Sequence, residues 1–235
     1  DADAAGDIGV TVLSGYTIVQ VLPEAALSAT GGAYLLAKNA AGTAFRLLRI
    51  NGVTGTTAFD TTDVTGKDPQ MVVDTVTGVD RAIVVYRYTH LSGGVNYYHI
   101  EARAYRAALI WSNLAVSDAT AAANYNCQQP SITLADNTSG IDGIYISWFD
   151  GRYYNPSGYS IFAQRLNTLG VVQWAANGVL ISTPSSLGDF DHPLYMRLLY
   201  YNDSNGTPYG VMPVWLDYRN YSGTGTDIYY EQIVN

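Results

Sequence analysis

The sequence predicts an all-β chain built from four copies of one strand–turn unit. Three observations carry this. Two Lys and three Glu stand against 20 Tyr and 23 Gly, with runs of Val, Ile and Thr, so strand formers outweigh helix formers. The stretches SWFDGRYYNPSGYSIFAQRLN (147–167) and VWLDYRNYSGTGTDIYYEQIVN (214–235) nearly repeat each other. Strand, turn, strand, turn recurs in units of roughly 50 residues, the spacing of four-stranded antiparallel sheets.

Taken in order, the first copy opens at Pro23 with EAALSA, then GAYLLAKN, AFRLLRI, the turn NGVTG and TTAFDTTDV. The second opens at Pro69: PQMVVD, RAIVVYRY, the loop THLSGGVN, YYHIEARAY and ALIWSNLAVS. The third opens at Pro130: SITLAD, the turn NTSGIDG, IYISWF, the loop DGRYYNPSGY, SIFAQRL, the turn NTLG and VVQWAANGVLIS. The fourth opens at Pro193 with PLYMRLLYY, the turn NDSNGTP, GVMPVWLD and DIYYEQIV. Tyr86 matches Trp148, Trp111 matches Trp174, and Arg49-Ile50-Asn51 matches Arg165-Leu166-Asn167.

The fourth copy stops after its third strand, while a spare segment, GDIGVTVLS (6–14), resembles the fourth-strand sequence ANGVLIS (176–182). An unpaired third strand is an exposed edge, which β-proteins avoid. Pairing of 6–14 with the last sheet closes the ring, giving a β-propeller of four four-stranded blades over residues 1–235. Two other arrangements satisfy the same count: a larger propeller of which these are four repeats, and exchange of the 6–14 strand between neighbouring chains. The opening Asp-Ala-Asp fits a processed or excised segment.

The pattern Trp-x-Asp-x-Arg, then Ile-Tyr/Phe-x-x-Gln, then Gln-Trp-x-x-Asn-Gly-Val resembles propeller-type repeats of large secreted and cell-surface bacterial proteins. The match is strong over 130–235, partial in the second copy and weak in the first. The resemblance implies an extracellular or cell-surface scaffold or binding module.

A formal charge of −8 excludes the basic clusters that nucleic-acid binding needs. No apolar run approaches the ~18 residues of a spanning helix. A single cysteine, Cys127, excludes an internal disulfide and any thiolate metal cluster. No motif for a cofactor, metal or phosphate is present; His99-x-Glu101 lacks the following Pro-Cys-x-x-Cys of a zinc deaminase.

The repeated residues Trp148, Asp150, Arg152 and Trp215, Asp217, Arg219 have two readings. Acid and base on neighbouring blades would hold a polar ligand; alternatively Asp caps the following loop and Arg forks onto it. Recurrence favours the framework role. The loops offer a separate candidate. Tyr153, Tyr154, Tyr218 and Tyr221, with Asp189, Asp191 and His192, are placed on one face as an aromatic, acidic surface suited to a protein or glycan partner. The expected function is therefore non-catalytic binding or scaffolding. The alternative is a glycan-processing enzyme using Asp150, Asp189 and Asp217 at the mouth of a tunnel.

Overall fold

A computed structural model describes residues 13–24, 31–76, 79–113, 116–117, 125–137, 140–153, 159–182, 196–202, 208–217 and 227–234. No helix among them is long and apolar enough to cross a membrane. The described chain is all-β and forms four antiparallel sheets. Sheet I holds β1 (Tyr16–Pro23), β2 (Gly32–Asn39), β3 (Ala44–Asn51) and β4 (Thr57–Asp60), with β5 (Val64–Thr65) also on β3. Sheet II holds β6 (Lys67–Val76), β7 (Val79–Ser92), β8 (Val95–Tyr105) and β9 (Leu109–Asn113). Sheet III holds β10 (Cys127–Asn137), β11 (Gly140–Asp150), β12 (Ser160–Asn167) and β13 (Val179–Ser182). Sheet IV holds β14 (Met196–Asn202), β15 (Pro208–Asp217), β16 (Asp227–Tyr230) and β17 (Ile233–Val234), the last two both on β15.

Side chains alternate across a strand, and in the second strands of sheets II and III both faces are buried. In β11, Ile144, Ile146 and Trp148 join a core shared with sheet II, while Tyr145 and Phe149 join cores shared with sheet IV. Sheets I and II share a further core around Phe45, Leu47, Val84 and Tyr86. The second strands of sheets II, III and IV thus each send one large aromatic (Tyr86, Trp148, Trp215) into the core shared with the preceding sheet. That is why these strands read as unbroken apolar runs rather than alternating ones.

Local chemistry repeats as well. Asn51 and Asn167 each end a third strand and use Oδ1 to accept two backbone N–H groups of the following turn, at 2.9–3.0 Å. Gly170, at φ +77°, supplies the left-handed turn residue that a side chain resists. At the start of β6 and β10, Asp68 and Gln129 take positive φ before Pro69 and Pro130, and the pairing register slips there. Such a bulge twists the strand and offsets its pairing by a residue.

Two expectations need correction. The first strand of copy one does not follow Pro23; it is β1, which ends at Pro23. Its register slip falls at Val19, so the bulge that Pro69 and Pro130 mark in other copies forms here without proline. The EAALSA stretch contributes no described strand: Glu24 lies outside β1, and 25–29 fall outside the described residues. The fourth strand of copy three is shorter than VVQWAANGVLIS. Val172 makes only an isolated bridge to Leu166, residues 173–178 form turns, and β13 begins at Val179. Of the 6–14 segment, 6–12 lie outside the described residues, and Leu13 and Ser14 belong to no strand.

Candidate functional site

The Trp-x-Asp-x-Arg motif of sheet III is a closed hydrogen-bond unit. Asp150 ends β11 fully buried and accepts five bonds, four from nitrogen donors and one from the Cys127 thiol. The Trp148 indole N–H donates to Oδ2 at 2.8 Å, the Arg152 backbone N–H to Oδ1 at 2.9 Å, and the Arg152 guanidinium to both oxygens at 2.7 and 2.8 Å. The same guanidinium reaches the Asn177 carbonyl at 2.8 Å and lies 3.8 Å from the Phe162 ring centroid. Burial alone would lower the Arg152 pKa, but the Asp150 bonds and charge outweigh it and hold the pKa above the ordinary guanidinium range. Cys127 sits against the same carboxylate at 3.5 Å; burial, with Asp150 adding to it, pushes its thiol well above the ordinary value. A protonated, enclosed thiol is a poor nucleophile.

Cross-strand geometry repeats in sheet IV. Trp148 faces Phe162 with ring centroids 6.3 Å apart and planes 24° apart; Trp215 faces Tyr229 at 6.1 Å and 23°. Asp217 pairs with Asp227 in the ladder where Asp150 pairs with Ser160. Sheet II builds a related unit from other residues: the Tyr86 hydroxyl donates to Glu101, which Arg103 also engages at 2.6 and 3.2 Å. In sheets II and III the acid and base serve one another.

Of the loop residues, Tyr153 is half-exposed (52%) and its ring lies beside Phe162. Tyr154, Tyr218, Tyr221, Asp189, Asp191, His192 and Arg219 lie outside the described residues, as does the side chain of Asp217. His99 is buried among Tyr88, His90 and Tyr125 rather than presented to a cleft. No group of three or more His, Cys, Asp or Glu suited to a metal occurs among the described residues.

A different feature is the space where the four first strands meet. A cavity of about 760 Å³ is lined by residues of β1, β6, β10 and β14, the edge strand of each sheet. The ladder places Gln20, Gln70, Ser131 and Arg197 at one equivalent position, opposite Leu36, Val85, Ser147 and Val214. All four line the cavity. Two of them tie successive sheets. The Gln20 amide both donates to and accepts from the Met71 backbone at 2.9 and 3.0 Å, and Ser131 Oγ accepts from Leu198 N–H at 3.1 Å.

Family models, curated proteins and solved structures offer no match to this chain.

The sequence reading missed the cavity position because it aligned the fourth copy on Pro193. The ladder instead makes Met196 the counterpart of Pro130 and Arg197 that of Ser131. The usable signal was the spacing back from the second-strand aromatic, not the proline.

Proposed function

We propose that the four sheets are the blades of one closed β-propeller over residues 1–235, completed by a strand within the 6–12 part of the N-terminal segment against 227–234. On this reading the domain is a non-catalytic interaction or scaffold module of a secreted or cell-surface bacterial protein. It holds a protein or glycan partner at its loop-bearing face, with Tyr153, Tyr154, Tyr218, Tyr221, Asp189 and His192 as contacts.

The observation that carries the reading is the bonding of Asp150. Glycoside chemistry needs two carboxyl groups roughly 5–10 Å apart and open to substrate, whereas Asp150 is enclosed and occupied by Trp148 and Arg152. Asp74 and Glu101, also buried, are likewise held by Arg81 and Arg103. Acids spent on framework leave binding to the loops, where tyrosine offers rigid area with a polar tip. The shared lining of one cavity by four edge strands supports the ring.

The test is display of the full chain on a glycan array and against immobilised bacterial surface proteins, beside the Tyr153→Ala/Tyr221→Ala double variant. Binding lost in the variant, at an unchanged melting temperature, is the expected result. Binding that survives in the double variant removes the loop face from the account.

A further inference from the structure

Arg197, like Arg106, departs from the pattern of the other described arginines. Seven described arginines (46, 49, 81, 87, 103, 152 and 165) each pair with a carboxylate. Arg197 meets no carboxylate among the described residues; its one hydrogen bond runs from Nη1 to the Met196 carbonyl at 3.3 Å. Nor does it tie one sheet to the next, as Gln20 and Ser131 do from the equivalent position. Its exposed side chain lines the central cavity and, together with Gln70 and with Asp68, whose carboxylate pairs with Arg87, a second cavity of about 320 Å³. Among the residues lining the larger cavity it is the one charge, a cation in a chain of net charge −8. Unpaired guanidinium in a recess is suited to a planar carboxylate, which it can grip through two parallel bonds.

The remaining wall narrows the ligand. The four lining strands are sheet edges; Gln20 already holds the Met71 N–H and C=O and Ser131 the Leu198 N–H, and the edge N–H and C=O groups that remain need polar partners. Hydroxyl groups both donate and accept, so a polyhydroxylated body satisfies such a wall better than a hydrocarbon one. A volume of about 760 Å³ lies within the range of small-molecule sites.

We propose that the central cavity binds a sugar acid, its carboxylate on Arg197 beside Gln70 and its hydroxyls on the free strand edges. None of the loop residues is among those lining this cavity, so the proposal is tested apart from the Tyr153 and Tyr221 variants.

The test is calorimetric titration of the full chain with D-glucuronate, D-glucose and acetate. Glucuronate and glucose differ at one carbon, carboxylate against hydroxymethyl; acetate carries the carboxylate without the body. Glucuronate should bind saturably, and each of the others at least roughly tenfold more weakly, the size expected for a charge-assisted bond. Arg197→Gln, which installs the residue found at positions 20 and 70, should erase the preference for glucuronate over glucose at an unchanged melting temperature. Arg197→Lys, which keeps the charge and loses the fork, should fall between. Equal binding of glucose and glucuronate, acetate binding as tightly as glucuronate, no glucuronate binding, or a preference intact in Arg197→Gln would each overturn the proposal.

Discussion

Trp148→Ala should cost about 3–5 kcal/mol, the range for removing a large buried aromatic, and lower the melting temperature by about 6–20 °C for a chain of this size. Trp148 is fully buried in the core between sheets II and III and stacks across the ladder on Phe162. Its rim is also closed by backbone. A Cβ on Gly178 would lie 2.5 Å from the indole, and Gly178 holds φ +84°, so the wall cannot collapse inward without breaking a turn that a side chain resists. The substitution further removes one of the five bonds to buried Asp150. Trp215→Ala should follow the same pattern. Tyr153→Ala should cost under about 1 kcal/mol, because the ring is half-exposed (52%) already. Equal melting shifts for Trp148→Ala and Tyr153→Ala would contradict the division between framework and loop.

Asp150→Ala should be similarly severe, about 3–5 kcal/mol, because it leaves a mostly buried guanidinium without its partner. Asp150 is fully buried and Arg152 has 17% side-chain exposure; the indole N–H and the Arg152 backbone N–H are orphaned at the same time. The contrast is Asp142→Ala. Asp142 pairs with Arg165 at 2.6 Å, but both side chains are about a quarter exposed, at 28% and 23%, and such pairs contribute about 0–1 kcal/mol. Since Trp148 and Asp150 share a bond, Trp148→Ala/Asp150→Ala should cost less than the sum of the single changes. Denaturant unfolding of the four variants measures all of this. Additive effects, or equal costs for Asp150→Ala and Asp142→Ala, would show that the buried unit does not act as one.

Much of this was legible in the residues. Strand and turn spacing announced an all-β chain of repeated sheets, and the recurrence of Trp-x-Asp-x-Arg pointed to framework, the part that Asp150 and Arg152 play in sheet III. The aromatic at the second strand was a reliable marker, since its burial between sheets leaves little latitude in size. Proline was an unreliable one. It marks the first-strand bulge in β6 and β10, but a bulge is a backbone conformation that Val19 provides without it. Anchoring on Pro23 and Pro193 therefore displaced the first strands of two copies and hid Arg197 from view. Lone turn residues such as Gly178 were visible as glycine, but not the indole that requires them; that contact joins the residues through a fold of 30 positions.

The ring itself is tested by hydrogen exchange at residues 227–234. Within the described residues the sheet ends at β16 and β17, which pair with β15 on one side. If a strand within residues 6–12 covers the other side, the amides of β16 and β17 directed away from β15 are protected in the intact chain, because each has a ladder acceptor. Val10→Pro, which deletes a ladder donor and disfavours the strand, should make those same amides exchange much faster while the amides bonded to β15 change little. The protection should be the same at micromolar and at hundredfold lower concentration. Outward-facing amides that exchange as fast in the intact chain as in Val10→Pro would contradict closure by the N-terminal strand, and protection that fades on dilution would place that strand on a neighbouring chain.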